Sequence, residues 1–206
     1  MPLDPSSSEI RMLAILPSLH RSWKICCKLY TVSLENLDEA PFAFYEALSY
    51  TWGDTSDSVL IALNGNEFHV TRNLAAALVH LRARRRPRYL WVDAICINQD
   101  DIPERTSQVL KMKEIYQQAE QVIVWLGEER DESGVAMRVL DKITDADTPE
   151  GWVAESLGNV EGIKQWRAVA HLLSRSWWRR VWIQQEVLVA GSAMVICGKR
   201  KLRWES

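Results

Sequence analysis

The sequence has little of what marks several common classes of protein. It contains four cysteines, and none forms a Cys-x-x-Cys pair, so neither a disulfide framework nor a zinc site is indicated. Buried free thiols in a reducing cytosol are the simpler interpretation. No apolar run approaches the roughly 18 residues of a membrane span, and the opening residues lack the pattern of a secretory signal. We therefore expect a cytoplasmic protein that acts without a membrane.

Charge and catalytic motifs are also sparse. The formal net charge of −2 creates no overall field that would attract nucleic acid. The basic stretch RARRRPR (82–88) is explained by a solvated helix end; nucleic-acid binding or nuclear import is the alternative, but no DNA-reading motif accompanies it. The four histidines have no metal-binding spacing, and the nucleophile-elbow, Walker and dinucleotide-binding motifs are absent. We expect no metal, no required cofactor and no nucleic-acid partner.

Strand-like and helix-like segments alternate along the chain, which predicts an α/β fold with a mainly parallel sheet flanked by helices. Asn64-Gly65 between two apolar runs predicts an inserted β-hairpin. We expect residues 1–22 as a flexible lead, and 128–173 as an insertion with one short helix and an exposed DADTPEG loop. The predicted strands are 23–34, 45–54, 59–70 (the hairpin), 89–95, 121–127 and 193–197; the predicted helices are 71–84, one from Pro103, 133–143, 161–173 and 177–190.

Polar residues follow the predicted strands, at the edge where ligands bind in parallel sheets. Asp100 and Asp101 are explained as helix caps. Asp93 interrupts an apolar strand, and a carboxylate there needs a partner. We expect six residues to converge as a substrate-binding set: Tyr50, Trp52, Asp54, Asp93, Asn98 and Gln99.

The stretch SRSWWRRVWIQQEV (174–187) surrounds one carboxylate, Glu186, with tryptophans and arginines. In a continuous helix Trp178, Trp182 and Glu186 share one face, and two indoles predict that this face is buried. A buried carboxylate is costly unless it is paired or functional. Arg179 is too far along such a helix for a direct pair, so a partner from another segment and a functional role both stay open.

Three stretches, YEALSYTWGD, YLWVDAICINQDD and WWRRVWIQQEV, resemble the three blocks of the heterokaryon-incompatibility (HET) domain of filamentous fungi. The resemblance runs from about Tyr45 to Gly191. It implies a single HET domain over 1–206 that triggers programmed cell death in self/non-self recognition, a form of fungal innate immunity. Such domains are usually N-terminal effectors, so we expect a longer protein with a regulatory partner or a C-terminal oligomerising region.

A weaker resemblance links ALSYTWGD and SWWRRVWIQQEV to TIR domains, which are flavodoxin-like and in many cases cleave NAD+ with a glutamate. That resemblance implies a flavodoxin-like sheet, NAD+ as a substrate, Glu186 as the catalytic residue and Trp182 beside it in the substrate site. A buried carboxylate stabilises the oxocarbenium-like state of ribosyl-bond cleavage. Glu186→Gln is then expected to lower the rate by about a hundredfold or more and to leave the fold intact or slightly more stable. The competing hypothesis is a non-enzymatic module that signals by self-association.

Overall fold

The computed structural model describes residues 3–4, 7–19, 24–37, 40, 42, 44–145 and 149–204. Nine strands and seven α-helices are found in this part of the chain. The strands are β1 (Glu9–Ile15), β2 (Cys26–Ser33), β3 (Glu46–Tyr50), β4 (Ser58–Leu63), β5 (Asn66–Thr71), β6 (Arg88–Trp91), β7 (Gln121–Trp125), β8 (Ala193–Cys197) and β9 (Arg200–Trp204). The helices are α1 (Arg72–Leu81), α2 (Asp93–Cys96), α3 (Ile102–Gln118), α4 (Ser133–Asp145), α5 (Pro149–Leu157), α6 (Val160–Leu173) and α7 (Ile183–Val187).

All nine strands form one mixed sheet in the order β5-β4-β2-β1-β6-β3-β7-β8-β9. The central strands β6, β3, β7 and β8 are parallel, as predicted. The flanking pairings β1 with β2, β1 with β6, β4 with β5 and β8 with β9 are antiparallel. The α/β class is therefore confirmed, whereas the mainly parallel, flavodoxin-like sheet is not, because antiparallel pairs extend the sheet on both sides.

Two strands were not predicted. Residues 9–15 lie within the expected flexible lead, but they form β1, which is buried along nearly its whole length and sits between β2 and β6. β9 pairs with β8 across a tight turn at Gly198 (φ 55°). The charged residues Glu9 and Arg11 interrupt the apolar run of EIRMLAI, and the basic residues of RKLRW obscure its strand alternation, so neither segment carried a clear strand signal.

The predicted hairpin is confirmed. Asn64 (φ 52°) and Gly65 (φ 84°) both have positive φ, as a two-residue turn between paired strands requires. Helix α1 follows directly, and the hydroxyl of Thr71 caps it by accepting a hydrogen bond from the backbone N–H of Leu74. Helix α3 is capped by Asp101, as expected for this loop.

The central strand β6 is shorter than predicted. It ends at Trp91, and residues 93–96 form the one-turn helix α2, in which the backbone N–H groups of Ile95 and Cys96 both donate to the carbonyl of Val92. The prediction of a strand to residue 95 was wrong because apolar runs do not distinguish a buried strand from a buried turn. Asp93 is therefore the first residue of a helical turn at the carboxyl end of β6.

The region 128–173 is helical, with α4, α5 and α6 in sequence, and α4 packs against α6 and β9. The helices at α4 and α6 were predicted, but α5 was not, and it begins at Pro149 within the expected exposed loop. Residues 146–148 of the DADTPEG stretch lie outside the described residues. Helix α3 packs against α7, which brings the Glu186 segment onto the sheet beside β3.

Candidate functional site

The segment 174–187 is not one helix. A 3-10 helix covers Ser176–Arg179 and ends at Arg180, whose backbone is extended (φ −77°, ψ 136°); α7 then begins at Ile183. Trp178, Trp182 and Glu186 consequently do not share a helix face. Trp178 stacks on Trp204 with ring centroids 5.8 Å apart, whereas Trp182 is about half exposed. The expectation of a common buried face was wrong because two adjacent arginines and Val181 form a turn.

Glu186 is fully buried, and its carboxylate is already occupied. The guanidinium of Arg180 donates to both carboxylate oxygens, over 2.8 Å to Oε2 and 2.7 Å to Oε1. The hydroxyl of Ser49 on β3 donates to Oε2 as well. Such a bidentate arrangement is the strongest geometry that an arginine and a carboxylate can adopt. The turn at 180–182 makes it possible by folding Arg180 back over α7.

An indole N–H donor completes this cluster. The Nε1 of Trp177, itself buried, donates to the Ser49 hydroxyl over 2.8 Å, and Arg180 reaches the same oxygen at 3.2 Å. We call these four side chains (Ser49, Trp177, Arg180, Glu186) the buried ion-pair cluster. Every member has a polar partner in the cluster, which is what a polar group in a protein core requires.

A second, more accessible group lies beside the cluster at the carboxyl ends of β3 and β6. Asp93 accepts a hydrogen bond from Nε1 of Trp52 over 2.8 Å and another from the backbone N–H of Ala94. Burial raises the pKa of Asp93 to about 6, and the charge of Glu186 adds to this, although the Trp52 hydrogen bond and Arg180 oppose it. Burial also raises the pKa of Tyr50, with the carboxylate of Asp93 contributing. The structure thus brings Tyr50, Trp52 and Asp93 together near Glu186.

The other candidates lie elsewhere. Asp54 is exposed and holds its own loop by accepting from Ser56. The side chain of Gln99 reaches this group only at the backbone of Asp93: its Nε2 donates to the Asp93 carbonyl over 3.0 Å. Asn98 is exposed, and together with Gln99 and Phe68 it lines a cleft of about 440 Å³. Trp182 makes no contact with the carboxylate of Glu186 among the described hydrogen bonds.

The residues that sequence reasoning missed are Ser49, Trp177 and Arg180. The spacing of six residues between Arg180 and Glu186 carries no pairing signal in a straight helix, and only the break at Val181 brings them together. Ser49 lies in the apolar strand β3, and its complete burial was a signal that could not be read from one sequence. A polar residue within an apolar segment, as at Ser49 and at Asp93, is nevertheless a reason to expect a polar partner for its side chain.

The loop after α2 is fixed by a second buried ion pair. Glu104 of α3 pairs with Arg11 of β1 at 2.6 Å and accepts from the backbone N–H groups of Asn98 and Leu3. Burial opposes the charge of Glu104, but these hydrogen bonds outweigh it and lower its pKa to about 2. The position of the Asn98–Gln99 loop is therefore set by the core.

Arg175 fixes the loop after β7. Its guanidinium is buried and donates to the carbonyls of Leu126 (2.7 Å), Glu128 (3.1 Å) and Arg130 (3.2 Å). It also lies 3.1 Å from Sγ of Cys197. This cation binds backbone carbonyls, which orders the acidic loop that follows Gly127.

Metal-binding clusters and membrane-spanning helices are both absent from the part of the chain that the structure describes. No group of three or more histidine, cysteine or carboxylate side chains there is placed to hold a metal ion. Within the same residues, no helix combines the length and the apolar character needed to cross a membrane.

Comparison with known proteins identifies the class. The sequence model of the heterokaryon incompatibility protein (HET) family matches residues 45–186, a range that contains β3, α2, the buried ion-pair cluster and Glu186 as its last residue. The chain belongs to the HET family. It is similar to "Heterokaryon incompatibility protein 6, OR allele" of Neurospora crassa, with 33% identity over 236 aligned positions that cover 95% of this chain. The chain spans about a third (34%) of the length of that relative. No solved structure matches the chain.

Proposed function

We propose that this chain is the effector part of a heterokaryon-incompatibility protein, and that it triggers cell death as an interaction module that acts by assembly. Family membership supports the incompatibility role. The observation that carries the mode of action is the state of Glu186. Arg180 and Ser49 occupy both carboxylate oxygens, and the side chain has no exposed surface.

A catalytic carboxylate must reach the substrate. In ribosyl-bond cleavage it contacts the sugar or the developing positive charge directly. Glu186 instead contacts a resident guanidinium that supplies the positive charge in the substrate's place. The carboxylate tolerates burial because it is paired, and the cluster that it forms joins β3, the 3-10 helix and α7 into one unit.

A second candidate function, cleavage of a ribosyl bond such as that of NAD+, is favoured by one observation. Trp52, which is exposed, and Asp93, which is partly buried, lie beside the cluster at the carboxyl ends of parallel strands, where α/β proteins bind ligands. In this case Arg180 leaves Glu186, the carboxylate becomes the catalytic group, and Tyr50, Trp52 and Asp93 hold the substrate. The raised pKa of Asp93 suits a proton-transfer group.

One experiment separates the two functions. Residues 1–206 are expressed in a filamentous fungus alone and as a fusion to a dimeric coiled coil, and both cell death and cellular NAD+ are measured. We expect the fusion to kill cells while NAD+ per living cell stays constant. Equal toxicity of the two forms would argue against activation by proximity. A fall in NAD+ before death would favour the enzyme.

A matched variant sharpens this test. Trp52→Phe removes the indole N–H that reaches Asp93 but keeps an aromatic ring in a side chain that is 37% exposed. An interaction module whose function rests on the buried cluster is expected to retain its toxicity in this variant. An enzyme that uses Trp52 and Asp93 to hold substrate is expected to lose most of it.

A further inference from the structure

The basic stretch singled out in the sequence forms an exposed loop of uniform charge. The two arginines at its ends have partners within the chain: Arg82 donates to the carbonyl of Lys24, and Arg88 pairs with Glu46. The three arginines between them, Arg84, Arg85 and Arg86, are exposed, and none lies within salt-bridge distance of a carboxylate among the described residues. We call residues 84–86 the arginine loop; its formal charge is +3.

A loop of opposite charge follows β7. Four carboxylates and one arginine give residues 128–132 a formal charge of −3, and all five are exposed. We call this segment the acidic loop. The guanidinium of Arg175 fixes the backbone of the acidic loop by donating to the carbonyls of residues 126, 128 and 130. Within the described residues, its ion contacts are with His80, 3.7 Å from Glu128, and between the adjacent Arg130 and Asp131.

The topology places the two loops at opposite ends of the sheet. The arginine loop leads into β6, and the acidic loop follows β7. Both strands are parallel to β3, so one loop lies at their amino ends and the other at their carboxyl ends. A contact between these loops on two copies repeats head to tail. Such a heterologous contact allows open-ended assembly, because each added copy presents another unoccupied loop.

We infer that the arginine loop of one copy docks against the acidic loop of a second copy of this chain. The inference rests on the proposed function, and it names the surfaces through which the module assembles. Complementary charge is the argument: the two formal charges are equal and opposite on a chain whose net charge is −2. Each exposed ion pair raises an association constant by at most a factor of about five. The contact is therefore weak and forms when copies are held close together.

The test uses two variants of the 206-residue chain. The basic variant carries Arg84→Gln, Arg85→Gln and Arg86→Gln, and the acidic variant carries Glu128→Gln, Asp131→Asn and Glu132→Asn. Asparagine is chosen because Asp131 (φ 52°) and Glu132 (φ 57°) are left-handed, a conformation that asparagine tolerates. A matched control makes three exposed basic residues in or beside β9 neutral, Lys199→Gln, Lys201→Gln and Arg203→Gln, with the same change in net charge as the basic variant.

Sedimentation velocity is measured up to millimolar protein at low and at 0.3 M salt. We expect concentration-dependent chains for wild type and control, weakened by salt, and monomers for each loop variant. A 1:1 mixture of the two loop variants should form a dimer and nothing larger, because one intact loop remains on each partner. Monomeric wild type throughout this range, or wild-type association that survives in either loop variant, would overturn the inference. If the inference fails while the coiled-coil fusion still kills cells, the proposed function stands with another surface.

Discussion

The pairing of Arg180 with Glu186 makes a quantitative prediction about stability. Removing one partner of a buried ion pair typically costs about 3–5 kcal/mol, because the other charge stays buried without compensation. The Glu186 side chain is 1% exposed and that of Arg180 is 18% exposed, so both belong to this class. We expect Arg180→Met and Glu186→Met each to lower the free energy of unfolding by about 3 kcal/mol or more.

The double variant decides whether this cost comes from the pair. Replacing both charges by apolar side chains leaves no buried ion, and such replacements are often neutral or stabilising. Arg180→Met/Glu186→Met should therefore unfold within about 1 kcal/mol of wild type, giving a coupling energy of several kcal/mol. Urea unfolding followed by tryptophan fluorescence measures all four proteins. Additive effects of the single variants, with no recovery in the double variant, would refute the pairing.

The same pair changes the expectation for Glu186→Gln. From the sequence alone, removing a buried charge was expected to leave the fold intact. With Arg180 in contact, glutamine keeps one acceptor oxygen but leaves the guanidinium without a counter-charge. We now expect Glu186→Gln to be destabilised by about 1–3 kcal/mol yet folded, since hydrogen bonds to charged groups contribute in this range.

Three further predictions follow from the buried charges. Because the pKa of Asp93 is raised to about 6, the free energy of unfolding should fall by about 1–3 kcal/mol as pH rises from 4 through 6, and Asp93→Asn should remove that slope. Because the pKa of Glu104 is lowered to about 2, stability should instead be lost as pH falls from 4.5 to 2, by about 3 kcal/mol, a loss absent in Glu104→Gln. Urea unfolding at stepped pH measures both, and slopes equal to wild type in the variants would contradict them. Arg175→Met should cost about 2 kcal/mol or more by leaving three carbonyls unsatisfied, and should increase amide hydrogen exchange in residues 126–132; unchanged exchange there would contradict the ordering role.

The parts of the fold that could be predicted from the sequence are those with a strong local signal. Apolar runs located the four parallel strands, Asn64-Gly65 located the hairpin, and Asp101 located the start of α3. Strands β1 and β9 were missed because charged residues interrupt their apolar pattern, even though β9 pairs locally with β8 across the turn at Gly198. The mixed order of the sheet likewise follows from long-range contacts that no local pattern reports.

The candidate site also has one part that the sequence predicted and another that it did not. Polar residues at strand ends correctly pointed to Tyr50, Trp52 and Asp93 as neighbours, since parallel strands present their carboxyl ends at one edge. The partner of Glu186 could not be predicted, because it depends on a break in a helix-like sequence. The bulky pattern WWRRVW suits a helix, and tertiary packing of Trp177 and Trp178 overrides that preference.

The central claim is that Glu186 is a structural ion in a HET module, and one measurement tests it most directly. The coiled-coil fusion of the wild-type chain and its Glu186→Gln variant are purified, shown to be folded by circular dichroism, concentrated and incubated with NAD+ while nicotinamide release is followed. The account predicts no release above the protein-free control from either protein. Release by the wild type that disappears in a folded Glu186→Gln variant would contradict it and establish Glu186 as a catalytic carboxylate.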